Sequence, residues 1–187
     1  MTTNMRESIM AAARVAVQHH GYNALSFREL AKDVGVKSAS VHYYFPTKGD
    51  LASALAKRYA DEAEVFLEEL QATPREHRAL MDVYTSAFRK ALADDNKMCL
   101  CGIMAAEYND LPDIARVEVD RFTAVNTHWL RGVLQARHPD TEPHLLDARA
   151  LAIFAAIEGA QLVARGRADI DAFDNIIEAY HATGLFD

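Results

Sequence analysis

The stretch Ser26 to Leu51, SFRELAKDVGVKSASVHYYFPTKGDL, constrains the chain more than any other. Phe27, Leu30, Ala31 and Val34 recur at i, i+3, i+4 and i+7, the spacing of a helix with one apolar face. Ser26, with Glu29 three residues on, forms a capping box that marks the helix start. Gly35 closes the helix, because glycine enters the left-handed conformation without strain. Only Gly35, Val36 and Lys37 separate it from a second short helix, Ser38 to Phe45. Two short helices joined by a three-residue turn containing glycine make a helix-turn-helix pattern.

The second helix has the surface of a nucleic-acid reader. Val41 and Phe45 are spaced to face inward, leaving Ser38, Ala39, Ser40, His42, Tyr43 and Tyr44 outside. Small residues allow close approach to DNA, and hydroxyl and imidazole groups bond to phosphates or base edges. Pro46 stops the helix, since proline disfavours helix in the residue before it. Thr47 and Asp50 then form a second capping box, with Lys48 in the first turn of a new helix. A lysine there reaches a phosphate that also faces the free N–H groups of that helix end.

The stretch resembles the DNA-binding core of the TetR family of bacterial transcriptional regulators (TetR/AcrR-like). The matching residues are Leu30-Ala31-x-x-x-Gly35-Val36, Tyr43-Tyr44-Phe45 and Pro46-x-Lys48-x-x-Leu51, preceded by Gly21-Tyr22-x-Ala24-Leu25-Ser26-Phe27-Arg28. The resemblance covers about the first sixty residues. It implies an all-α chain: an N-terminal three-helix, homeodomain-like helix-turn-helix unit and a C-terminal helical bundle for ligand binding and dimerisation. It also implies a homodimer on a palindromic operator, most often a repressor released by a small molecule. The residues expected to contact DNA are Arg28, Lys37, Ser38, Ser40, His42, Tyr43, Tyr44 and Lys48.

Charge supports a two-part chain. Residues 1–60 hold eight Lys and Arg against four Asp and Glu, a net of +4. Residues 61–187 hold twelve against twenty-three, a net of −11, so the whole carries −7. An acidic remainder repels DNA and leaves only one face able to bind it. No run of eighteen apolar residues occurs, so no membrane span is expected. MTTNMRESIM lacks the apolar core of a signal peptide, and the cysteines number two, so a reducing cytoplasm is the expected location.

About nine helices can be placed, and no strand pattern appears. Thr3 or Asn4 caps a first helix with Ile9, Ala12, Ala13, Ala16 and Val17 inside, ending near His19-His20-Gly21. Adjacent histidines on a helix point about a hundred degrees apart, so this pair forms no joint metal site. The helix after Thr47 continues to about Gln71, linking a DNA-binding domain (residues 1–50) to a ligand-binding and dimerisation domain (residues 73–187). Thr73 is expected to cap a helix running to about Asp94. Further helices are expected at Met98–Asn109, from Asp113 to about Arg137 with Val117 inside, through Leu145–Arg167, and over Asp171–Thr183.

The second half offers candidates rather than a motif. Leu151 to Ala164 is apolar nearly all round, and such a helix must be buried on all sides. A two-fold dimer supplies the missing cover, with Leu151, Phe154, Ala155, Gly159, Leu162, Phe173 and Ile177 as interface candidates. The alternative is a central helix of a monomer. Pocket candidates are Tyr84, Phe88, Met98, Met104, Tyr108, Phe122, Asn126, Trp129, Phe154 and Glu158, although aromatics at helical spacing are more often plain core. Asn126, His128 and Glu158 become informative if buried, because a buried polar group needs a partner.

Cys99 and Cys101 open a redox alternative, since thiols at a helix start are activated by its dipole. Their i, i+2 spacing opposes a mutual disulfide, and small buried thiols are the plainer reading. No metal site and no cofactor are expected, only an unidentified small-molecule inducer. A small all-α enzyme or ligand carrier is the remaining alternative. It lacks support, because no nucleophile–base pair, carboxylate pair or metal cluster has suitable spacing.

Overall fold

The structure, a computed structural model, describes the backbone from residue 2 and side chains from residue 5 to residue 187. The side chains of Thr3 and Asn4, the expected caps of the first helix, lie outside the described residues. The elements are α1 (Thr2–His20), α2 (Phe27–Val34), α3 (Ser38–Tyr44), α4 (Lys48–Ala72), α5 (His77–Ala93), α6 (Leu100–Ala106), a 3-10 turn (Tyr108–Asp110), α7 (Asp113–Arg137), α8 (Pro143–Arg167) and α9 (Ile170–Ala182). The described residues contain no strand, so the chain is all-α.

Two compact units form. Unit 1 comprises Met1–Ala60 together with Leu100–Phe122, and unit 2 comprises Asp61–Cys99 with Thr123–Asp187. Helices α4 and α7 therefore each contribute a segment to both units. Grouping the α6 segment with the N-terminal helices makes the first unit more than a three-helix cap. It also changes its charge. Leu100–Phe122 adds two Arg against five Asp and Glu, leaving unit 1 at +1 and confining the basic excess to residues 1–60.

In unit 1, Ile9, Met10, Ala13 and Val17 of α1 are buried along with Leu30, Ala31, Val41, Phe45, Leu51 and Leu55, and α1 packs on α2 and α6. The local signals act as expected. Gly35 takes φ +74° and its N–H bonds back to Ala31 and Lys32. Thr47 and Asp50 bond reciprocally, Asp50 N–H to Thr47 Oγ1 at 3.1 Å and Thr47 N–H to Asp50 Oδ2 at 2.9 Å, and α4 begins there.

Unit 2 packs α5, α8 and α9 together. Proline opens α8 in its first turn, where its missing N–H costs nothing, and Asp169 caps α9 through the N–H groups of Asp171 and Ala172. Three expectations are corrected. Thr73 does not cap α5; its hydroxyl donates to Glu69 O at the end of α4, and α5 starts only at His77. Met98 and Cys99 precede α6 rather than belonging to it. Val117 is exposed, because the inner stripe of α7 is carried by Ala115, Val119, Phe122, Asn126 and Trp129.

Candidate nucleic-acid interface and candidate ligand site

The outward face of α3 follows from what holds its inward face. Val41 is wholly buried and Phe45 nearly so, which turns the other side chains out. Tyr43 is 80% exposed, and its ring meets Tyr44 edge-on at 5.1 Å. His42 is exposed, braced edge-on against Phe27 at 4.8 Å with Nδ1 3.4 Å from Pro46 O. Ser38 and Ser40 are partly exposed, and Lys37 is exposed just before the helix, with no capping bond from its side chain. Arg28 projects from α2 and touches Glu29 only loosely, Nε to Oε1 at 3.8 Å. One helix and the turn before it thus present two aromatic rings, an imidazole, two hydroxyls and a cation to solvent. This is the inventory that phosphate and groove contacts draw on.

Lys48 stands differently. Its ammonium donates to Asn23 O at 3.1 Å and lies 4.2 Å over the Tyr22 ring, and burial lowers its pKa against the opposing pull of Glu107 and Asp110. It is a clasp within unit 1, with donors left over for a phosphate. The same clasp contains residues the sequence did not single out. Glu107 accepts the backbone N–H groups of Tyr22 and Asn23, and Asp110 accepts from Asn23 Nδ2 at 2.7 Å. No local pattern marks Glu107, since its partners are 84 and 85 residues away.

The pocket candidates divide between the units. Met104 and Phe122 are buried in unit 1, while Tyr108 is exposed there with its ring under the Arg116 guanidinium. Tyr84, Phe88, Met98, Asn126, Trp129, Phe154 and Glu158 belong to unit 2. His128 is exposed, which removes it as an interior polar group.

In unit 2 the rings form a continuous run: Trp129 to Tyr84 at 4.8 Å, Tyr84 to Phe88 at 5.6 Å, Phe88 to Phe154 at 6.4 Å. Polar groups thread it. Tyr84 donates its hydroxyl to Asn126 Oδ1 at 3.0 Å. Gln161, fully buried, accepts from Cys99 N–H at 2.9 Å and donates to Phe88 O at 2.7 Å. Gln161 was missed, being one polar letter inside an apolar run. Two groups stay unmet: both carboxylate oxygens of Glu158 and Nε1 of Trp129 are shielded from water with no hydrogen-bond partner among the described residues. Burial pushes the Glu158 carboxyl up to about 7, while the Cys99 thiol beside it pulls the other way. Tyr84 is pushed well above its ordinary value, chiefly by burial and further by Glu158.

Cys99 and Cys101 are free and buried, in units 2 and 1 respectively. The described residues hold no group of three His, Cys, Asp or Glu able to bind a metal. A surface groove of about 220 Å³ between α5 and α9 is lined by polar groups that pair with one another, Arg89 with Asp174 and His181 with Asp82.

Among the dimer candidates, Leu151, Ala155 and Leu162 are exposed and Gly159 partly so. Phe154, Phe173 and Ile177 are interior to the chain itself. A face for a second copy therefore rests on the first four.

A helix-turn-helix with an outward-facing, tyrosine-bearing second helix, in a chain whose second unit is also all-α, is the arrangement of a DNA-binding regulator. Residues 9–55 match the family described as bacterial regulatory proteins, tetR family. It resembles a TetR transcriptional regulator from Legionella pneumophila, at 28% identity and TM-score 0.88, covering 95% of each chain. A TetR-family regulator from Agrobacterium tumefaciens is similar at 28% identity and TM-score 0.86, covering 94% of this chain and 95% of that one. The reduced form of NemR from E. coli shares the fold at 21% identity and TM-score 0.80, covering 94% of each chain. Among curated proteins, none matches the chain by sequence. No helix of the described residues is long and apolar enough to cross a membrane.

Proposed function

We propose that this regulator acts as a homodimeric cytoplasmic repressor, bound to a palindromic operator and released by a small molecule. The observation that carries the DNA-binding half is Tyr43, exposed on α3 while Val41 and Phe45 anchor the helix beneath it. Arg28, Lys37, Ser38, Ser40, His42 and Tyr44 surround it, and Lys48 serves as a secondary contact after its clasp role. Residues 1–50, continuing into α4, carry DNA binding, and residues 73–187 carry ligand binding and dimerisation. The Leu100–Phe122 segment belongs structurally with the first function. Ligand binding would move α4 and change the spacing of two recognition helices, about 34–36 Å apart on adjacent turns of DNA.

The outward apolar face of α8 supports the dimer. Leu151, Leu162 and Val163 are at least half exposed, with Ala152 and Ala155 between them. Contiguous exposed apolar surface on one helix calls for a partner, and a second copy meets it with the same face. The reading is of a regulator rather than an enzyme. The thiol-sensing alternative asks for an accessible thiolate, whereas both thiols are buried.

The test is selection of bound sequences from random duplex DNA at two salt concentrations. A palindrome with half-sites one turn apart and a steep salt slope supports the reading. Absence of enrichment at either salt overturns it.

A further inference from the structure

The interior of unit 2 contains two polar side chains that no strong hydrogen-bonding group among the described residues satisfies. The first is Glu158, whose two carboxylate oxygens are sealed from water, with only the weakly donating Cys99 thiol beside them. The second is Trp129, 7% exposed, whose Nε1–H has no acceptor. Their neighbours are already committed: Tyr84 bonds to Asn126, and Gln161 bridges Cys99 and Phe88. An unmet buried donor is costly, and an unmet buried charge more so. Two such groups on one aromatic run point outside the chain for their partners.

The chemistry of the pair selects the partner. A carboxylate accepts and carries negative charge, so an anion is excluded and a neutral apolar molecule would leave both groups unmet. A divalent metal would need further oxygen ligands, and no suitable cluster occurs among the described residues. What remains is a molecule with N–H donors, and among these a cation pairs best because it also holds the carboxylate ionised. The walls agree, because the Tyr84 and Trp129 rings lie 4.8 Å apart at 34°, and aromatic faces attract cations, most strongly when desolvated. Glu158 sits one helical turn beyond Phe154, on the face of α8 that meets Phe88.

We propose that unit 2 binds an organic cation, an aromatic amine or amidine, whose charged nitrogen donates to Glu158 while its ring lies against the Tyr84–Trp129 wall. An acceptor on the same molecule takes the Trp129 Nε1–H. This rests on the ligand-sensing reading above and names the class of ligand it would sense.

The experiment uses the full chain without DNA, so its result is independent of operator binding. Trp129 is the sole tryptophan, so its emission reports on this interior directly. The protein is titrated with benzamidinium, benzamide and benzoate, with calorimetry as a second readout. The expected result is saturable binding of benzamidinium, about tenfold or more tighter than benzamide, and none of benzoate. Glu158→Gln keeps the shape and removes the charge; it should abolish the preference for benzamidinium over benzamide while the helical signal and melting hold. Equal affinity for the charged and neutral probes, or an unchanged preference in Glu158→Gln, overturns the proposal. Binding of benzamide or benzoate alone overturns the cation class and leaves ligand sensing standing. Failure of operator selection strikes the regulator reading and leaves these titrations valid.

Discussion

The backbone N–H of Asn23 points at the carboxylate of Glu107, 3.3 Å away in space and 84 residues along the chain. Tyr22 N–H enters the same carboxylate, and Gly21 lies against it at φ +83°. A Cβ on Gly21 would stand 2.6 Å from Glu107 Oε1, in a backbone region that side chains rarely adopt. Gly21→Ala should therefore cost about 1–3 kcal/mol through strain and collision. Glu107→Ala should cost a similar amount, about 1–3 kcal/mol, by stranding the buried Tyr22 N–H. The double variant should lose less than the sum, because removing the carboxylate makes room for the new methyl. Denaturant unfolding of the full chain measures this; strict additivity would show that the contact is not what Gly21 protects.

Separating fold from DNA contact is the next requirement. Tyr43 and Lys37 are exposed, and among the described residues no hydrogen bond from either side chain holds the fold together. Tyr43→Ala and Lys37→Ala should leave melting within about 0.5 kcal/mol of the parent, as surface changes do. Each should weaken operator binding, and Lys37→Ala should reduce the salt slope by about one phosphate's worth. Lys48→Ala should do both kinds of damage, since its ammonium also ties Asn23 O and covers Tyr22. Unchanged affinity and slope in all three would remove α3 and its flanks from the interface.

What the sequence made legible divides by range. The turn at Gly35 and the box at Thr47–Asp50 were readable, because each is a bond between residues within a few positions of one another. Val117 was misplaced because the inner stripe of α7 begins two residues earlier, at Ala115, and periodicity alone does not set its phase. Thr73 looked like a cap, but its hydroxyl found the open carbonyl of Glu69 behind it. Glu107 and Gln161 were invisible for another reason: each acts on backbone groups 60 or more residues away, on segments that only the fold brings near. Glu158 was legible as a candidate, and its burial was what remained to be supplied.

That burial gives a pH dependence with a definite sign. The Glu158 carboxyl is held at about 7, above its ordinary 4.5, by burial against the pull of Cys99. Between those values the folded chain keeps a proton that the unfolded chain has released, so folding is opposed as pH rises. The contribution is most favourable below pH 4.5, falls through the interval, and levels off above about 7. A shift of this size corresponds to about 3 kcal/mol. Tyr84, the other acid facing the site, stays neutral throughout because its own pKa lies well above 10. Glu158→Gln does not titrate, so its stability should lose this slope and exceed the parent's at pH 8. Parallel stability curves for parent and variant between pH 5 and pH 8 would show that the carboxyl is not desolvated in solution.

The last expectation separates the outside of α8 from its inside. Leu162 is 62% exposed and Leu151 53%, whereas Phe173 is 1% exposed. If a second copy covers the outer face, Leu151→Glu with Leu162→Glu places charges where two copies of that face meet, and like charges there repel. The double variant should sediment as a single chain, keep its helical signal, and lose tight binding to a two-half-site operator while retaining weak binding to one half-site. Phe173→Ala should act in another way, lowering stability by about 3–5 kcal/mol through the cavity it leaves, with the assembly state of the folded fraction unchanged. Sedimentation across a concentration series distinguishes the two. A double variant that still sediments as a dimer would move the interface off the Leu151–Leu162 face and leave that apolar surface to some other partner.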